Sequence, residues 1–512
     1  MQNIFRIYIK RTVIGLCRFS FFYRFFVFIY KIQLLLIVFI LKQQKEVSAI
    51  ILRRKGVLVD LYPGDSDYDI TCVFAGDDNK IESALFGLAK KHEFLKAVCP
   101  VLGETKFIRE KDLLNHFAYF FVDYCGDMRS LCFLYKKNNF IQPVCDHYIF
   151  AGVYQAIAWI LITRIVPEFI FTRNSLISKK LIFSRPVYKI YRKVKWQIGL
   201  ANTGIFSEFN YNKNDGLKKN CFMYGASARH KILQESADMI VSGASSKNYS
   251  PTFSFTIAGE TSIPDSLLDY MHYVLRPITA NFKEAFAEIV LCNYRLYNYR
   301  MLLAKHKGEP PKKTERVLFG AVKQCSYRLK PLRTLLVTEC PILLSAPLWD
   351  FFMASDPIVK ILYEHTHYDF LKERVVRNGN NSATIDKEYL YAEIADALDI
   401  IHSAARSKNT ANLLNVLFGH LMTYNLLLER GVFYTSFGML YECHINKLNL
   451  NSAQQEIIDI YRQEGYKRLE KINTLKVWHI FKDLILQETN AARILLNGKT
   501  SLHQNFKKAS IT

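Results

Sequence analysis

The hydrophobic rhythm of the chain changes several times, and each change marks a different kind of element. Val47-Ser48-Ala49-Ile50-Ile51-Leu52 is a short, nearly continuous apolar run, and Ile70-Thr71-Cys72-Val73-Phe74 has the same character. Runs of that length, rich in β-branched and aromatic residues and bounded by turn formers, predict buried strands. Between Lys80 and Ala97 the period lengthens, with Ile81, Leu85, Leu88, Phe94 and Leu95 roughly at helical spacing. After Pro100 the segment Val101 to Ile108 returns to a strand-like pattern. Residues 46–145 therefore predict a small α+β domain.

Beyond about residue 145 the pattern reads as mostly helical. His147 to Phe171 is long and apolar, and Pro264 to Leu303, Ala392 to Leu428 and Gln454 to Leu486 carry apolar positions three and four apart. This predicts a large helical region over 146–498, with room for two subdomains, and a loose tail over 499–512. Lys305 to Lys313, Val376 to Ser382 and Gly243 to Thr252 have linker composition. No fixed-period repeat is present.

Residues 1–45 form a third kind of segment. They contain Arg6, Lys10, Arg11, Arg18, Arg24, Lys31, Lys42 and Lys45 and no acid, among Phe19, Phe21, Phe22, Phe25, Phe26, Phe28 and Tyr30. The near-sevenfold spacing of Arg11, Arg18, Arg24 and Lys31 aligns them along one helical face. The longest charge-free apolar stretch, Ile32 to Leu41, is about half of the ~20 residues that span a bilayer, so no transmembrane helix is expected. Two readings remain: a helix in a membrane interface, giving a peripheral membrane contact, or a helical pair packed on the protein with Lys and Arg stems over apolar surface. The second is preferred.

Composition narrows the class. At 512 residues, half of them hydrophobic, the chain can build two or three cores, and disorder is excluded for most of it. The net charge of +22 implies polyanionic partners. A second basic stretch, Arg173 to Lys195, interleaves with Tyr188, Tyr191 and Trp196 and makes nucleic acid a secondary candidate partner. Eleven cysteines occur without a Cys-x-x-Cys pair, which fits reduced thiols in a cytoplasmic protein rather than a disulfide framework. The Lys, Asn and Ile content is compatible with an A+T-rich bacterial genome.

The candidate chemistry lies in Pro63-Gly64-Asp65-Ser66-Asp67-Tyr68-Asp69-Ile70. Along a strand the side-chain period is two, so Asp67 and Asp69 project from one face. Two carboxylates that close repel unless a cation lies between them. Mg²⁺ (or Mn²⁺) suits them, because it takes one or two carboxylates and completes its shell with water and phosphate oxygens. Cys145-Asp146-His147 and Glu364-His365-Thr366-His367 lack the geometry or spacing of a catalytic triad or a zinc site.

The segment resembles the nucleotidyltransferase domain of the DNA polymerase β superfamily, in which a strand, a Gly-Ser loop and a connecting stretch lead to Ser-Asp-x-Asp at the next strand. Val47 to Leu52 matches the first strand, Arg53-Arg54-Lys55-Gly56 the loop, and Ser66-Asp67-Tyr68-Asp69 the signature. The loop departs from the family, since Arg54-Lys55 stands where Gly-Ser is usual. The resemblance implies a small mixed-sheet domain, an α+β fold, and Asp67 and Asp69 holding Mg²⁺ on a nucleoside triphosphate. It also implies that Ser66, Arg53, Arg54, Lys55 and Gly56 bind the phosphates, and that a third acid from a neighbouring strand completes the metal site. Glu104 is the first choice for that acid and Asp123 the second. The implied reaction transfers a nucleoside monophosphate to an unidentified acceptor. A catalytically silent nucleotide-binding relative and a peripheral-membrane glycosyltransferase are the competing readings.

Overall fold

In the computed structural model the described residues are, apart from short gaps, 12–53, 61–113, 132–140, 252–308, 342–404 and 410–497, with isolated positions at 191, 194, 235, 238–239 and 317. The fold is α+β. After α1 (Ser20–Lys42) come β1 (Val47–Leu52), β2 (Tyr68–Phe74), α2 (Ile81–Val98), β3 (Leu102–Arg109) and β4 (Cys132–Lys136). These strands form one sheet in the order β3-β2-β1-β4. β1 runs antiparallel to both β2 and β4, while β2 and β3 are parallel, joined through α2. The predicted strand-strand-helix-strand succession is thus present in 46–145. Asp123 and the sequence around it lie outside the described residues, as does Cys145-Asp146-His147.

Both faces of this sheet are covered, which explains why β1 and β2 read as continuous apolar runs rather than alternating ones. Phe107 of β3 stacks edge-on with His92 of α2. Its neighbour Lys106 points the other way and reaches Asp399 at 3.5 Å. Asp399 belongs to α5 (Lys387–Ala404), which follows α3 (Asp265–Asn281) and α4 (Pro357–His365).

Beyond 145 the described residues are rich in helix, as expected, but they also build two further sheets. Among the described residues of Pro264 to Leu303, α3 and a 3-10 turn at Lys283–Ala285 are helical. They are followed by β6 (Phe286–Tyr294) and β7 (Leu296–His306), after β5 (Thr252–Ala258) upstream. With β8 (Ile342–Leu344), β9 (Thr366–Asp369) and β10 (Arg374–Arg377), β6 and β7 build a five-stranded sheet in the order β10-β9-β6-β7-β8. β11 (Ser382–Asp386), β5 and β12 (Val432–Tyr434) make a third sheet. The linker expected to begin at Lys305 starts within β7, and the one expected over Val376 to Ser382 begins in the last two residues of β10 and ends on the first of β11.

The expected helices of the C-terminal part are present as α5, then α6 (Thr410–Leu414) running through a π-helical segment (Asn415–Met422) into α7 (Thr423–Arg430). Gly431, at φ +65°, ends α7 in the left-handed conformation that glycine adopts without strain. α8 (Phe437–Cys443), α9 (Ser452–Arg462), α10 (Thr474–Ile480) and α11 (Lys482–Asn497) follow. α9 starts with a capping box in which Asn451 and Gln454 satisfy each other's backbone N–H.

One continuous core runs from α1 through the first sheet to α11, and a smaller one joins α3 to the five-stranded sheet. The two ends of the large core are tied by ions as well: Arg493 of α11 donates to Asp112, just after β3, with Nη2 to Oδ2 at 2.8 Å and both side chains buried.

The aromatic N-terminal segment packs on the first sheet through a single stripe. Tyr30, Leu34, Ile37 and Leu41 of α1 are buried, at spacings of four, three and four. Among the described residues α1 is also the one helix long and apolar enough to cross a membrane. It passes that test of length and composition although Arg24 and Lys31 interrupt its charge-free runs.

Candidate active site

The site grows from the place where the chain enters β2. Pro63 and Gly64 turn it, with Gly64 at φ +87°, a conformation that disfavours any side chain. The Gly64 N–H donates to the Tyr30 hydroxyl at 2.7 Å, and the Tyr23 hydroxyl donates to the Leu61 carbonyl at 3.0 Å. α1 therefore braces the turn that aims Ser66, Asp67 and Asp69. Tyr30 also stacks edge-on against Tyr68, whose phenol burial pushes its pKa up to about 12, so it stays protonated.

The period-two expectation holds along this segment. Tyr68 and Ile70 are buried, while Asp67 is exposed and Asp69 partly so. Opposite Asp69 the parallel β2–β3 ladder is irregular: Tyr68 pairs with Leu102 and Ile70 with Thr105, so Gly103 and Glu104 together face one residue. A bulge of this kind leaves its extra residue out of the ladder. Here the freed Glu104 N–H donates to Asp69 Oδ1 at 2.9 Å.

Gly103 sits directly beneath the two carboxylates. A Cβ on it would lie 2.5 Å from Asp69 Oδ1 and 3.0 Å from Asp67 Cγ. Both acids thus converge over one glycine, and only the missing side chain gives them that room. An isolated glycine inside a strand-like run signals a bulge or close approach, so Gly103 was findable in the sequence. Tyr30 carried no such signal.

Arg53 closes the site from β1. Its backbone N–H donates to the Asp69 carbonyl, extending the β1–β2 pairing by one residue. Its buried guanidinium donates to Glu104 Oε2 at 2.8 Å and to the Glu104 carbonyl at 3.2 Å, and stands 4.0 Å from Asp69 Oδ1. Sequence reasoning placed Arg53 on phosphate and Glu104 on metal. In this structure the two hold each other, because their strands flank β2 and Arg is long enough to cross it. Glu104 remains largely exposed on the solvent side.

Ser66 is buried beside the acids. Arg54, Lys55, Gly56 and Asp65 lie outside the described residues. Asp67 and Asp69 are a fitting pair for Mg²⁺, which needs no more than two carboxylates when phosphate and water complete its octahedron. Among the described residues no group of three or more His, Cys, Asp or Glu side chains comes together as a metal cage. His365 and His367 have structural partners, the Gly259 and Tyr363 carbonyls at 2.9 and 2.7 Å. Compared with known proteins, the chain matches no family model, no curated protein and no solved structure.

Proposed function

We propose that this protein is a metal-dependent nucleotidyltransferase that moves a nucleoside monophosphate from a nucleoside triphosphate to an acceptor. The observation that carries the reading is the convergence of Asp67 and Asp69 over Gly103 at the start of a central strand. Bound Mg²⁺ would neutralise the triphosphate and orient it for in-line attack. The chain's own part is positional. Asp67 and Asp69 hold the ion on one face, the Glu104 N–H fixes the orientation of Asp69, and Ser66 borders the phosphates. The acceptor hydroxyl loses its proton to water and its oxygen bonds to the α-phosphorus, as the bond from that phosphorus to the α–β bridging oxygen breaks and pyrophosphate leaves with the electron pair.

One observation favours a second reading. The Arg53 guanidinium already neutralises Glu104 and lies close to Asp69, an arrangement that serves a nucleotide-binding protein without turnover. A single experiment separates the two. Purified protein is incubated with each labelled nucleoside triphosphate, Mg²⁺ or Mn²⁺, and small-molecule, protein or RNA acceptor fractions. Pyrophosphate release by the natural protein, absent in the Asp67→Asn and Asp69→Asn variants, is the expected result. Nucleotide binding without release under every metal and acceptor would establish the silent reading.

A further inference from the structure

α1 presents two apolar lines, and only one of them is used by the fold. The buried line is Tyr30, Leu34, Ile37 and Leu41. The other, Phe21, Phe25, Phe28, Ile32, Leu35 and Phe39, has spacings of four, three, four, three and four, which places it on nearly the opposite side of the helix. Its members are 75, 49, 61, 48, 70 and 53% exposed. A contiguous aromatic and aliphatic face of this length on a folded domain marks an interaction surface.

Charge identifies what covers it. Arg24, Lys31 and Lys42 are exposed and lie seven and eleven residues apart, close to whole numbers of turns, so they form one cationic line beside the apolar face. The Lys42 ammonium sits 5.4 Å from the Phe39 ring, at the boundary between the two. Residues 1–45 contain no Asp or Glu. A second copy docking through this face would set cations against cations with no acid to compensate, whereas an anionic bilayer offers both acyl chains and phosphate.

We propose that α1 docks the protein on the surface of an anionic lipid bilayer, lying in the interface plane with the Phe21–Phe39 line toward the acyl chains and Arg24, Lys31 and Lys42 at the headgroups. Lying flat leaves the buried stripe in place. Spanning the bilayer would strip Ile37 and Leu41, both fully buried, from the core and break the Tyr30–Gly64 hydrogen bond. It would also carry Arg24 and Lys31 through hydrocarbon. The docked helix is the one that braces the Asp67–Asp69 turn, so the site would be held against the membrane surface; the docking itself is independent of the reaction assigned to that site.

Vesicle flotation of the full-length protein tests this, with phosphatidylcholine alone against phosphatidylcholine mixed with phosphatidylglycerol. The natural protein is expected to float with the anionic vesicles and to be released by alkaline carbonate. Two variants on exposed positions, Phe25→Glu with Leu35→Glu, and Arg24→Glu with Lys31→Glu, should each lose at least tenfold in vesicle binding while keeping the circular dichroism of the natural protein. Binding unchanged in both variants would overturn the proposal. So would retention after carbonate, which means a spanning helix, or a concentration-dependent dimer in sedimentation that Phe25→Glu abolishes in a protein that does not float.

Discussion

Gly103 has no side chain because Asp69 fills the space where one would be: a Cβ at position 103 would stand 2.5 Å from Asp69 Oδ1. The backbone of Gly103 is in ordinary strand conformation, so alanine there causes no dihedral strain and acts only by collision. Gly103→Ala is therefore expected to splay Asp67 and Asp69 without touching either. Divalent-ion binding in the presence of nucleotide should fall at least about tenfold, or ~1.4 kcal/mol, while the melting temperature stays near that of the natural protein. Isothermal titration with Mn²⁺ and thermal unfolding check the two halves.

Glu104 is held by Arg53 and mostly exposed, which separates it energetically from the two aspartates. Glu104→Gln should lower stability by about 1–3 kcal/mol, because the amide still accepts from the buried Arg53 guanidinium but no longer offsets its charge. It should reduce Mn²⁺ affinity far less than Asp69→Asn does. An equal loss in both variants would show that Glu104 swings to the ion and that the Arg53 contact is only its resting partner.

Much of this site was legible because its determinants are local. The apolar runs of β1 and β2, the turn at Pro63-Gly64 and the i, i+2 acids are read directly from consecutive residues. What was not legible depends on cross-strand distance. The Arg53–Glu104 pair joins residues 51 positions apart across β2, and nothing in either neighbourhood announces it. The misreading of Pro264 to Leu303 has a different cause. Arg300-Met301-Leu302-Leu303-Ala304-Lys305 has strong helical propensity, yet it lies in β7, where pairing with both β6 and β8 overrides propensity. The β-branched and aromatic positions Ile289, Val290, Tyr294, Tyr297 and Tyr299 carried the opposing signal.

Arg493 and Asp112 are separated by 381 residues and fasten α11 to the end of the first sheet. Both side chains are buried, so removing one partner leaves an uncompensated charge. Arg493→Ala is expected to cost about 3–5 kcal/mol, measured by urea denaturation. Replacing both with well-packed apolar residues should recover much of that loss.

Glu488 of α11 lies beneath α7, where burial, outweighing the hydrogen bond from Asn425, pushes its pKa up to about 7 from 4.5. The folded protein thus binds a proton that the unfolded chain has already released between those values. The contribution of this carboxyl is fully favourable below pH 4.5 and is lost as pH rises through 7. Stability near pH 8 should be lower than at pH 5 by on the order of 3 kcal/mol from this group alone. Glu488→Gln should flatten that part of the profile, as read from denaturation midpoints across the range.

Binding of Mn²⁺ followed by electron paramagnetic resonance, with a non-hydrolysable nucleoside triphosphate present, tests the central claim without knowledge of the acceptor. The natural protein should immobilise one equivalent of nucleotide-bound Mn²⁺, and Asp67→Asn and Asp69→Asn should each abolish that signal while remaining folded. An unchanged Mn²⁺ signal in both variants would contradict the account.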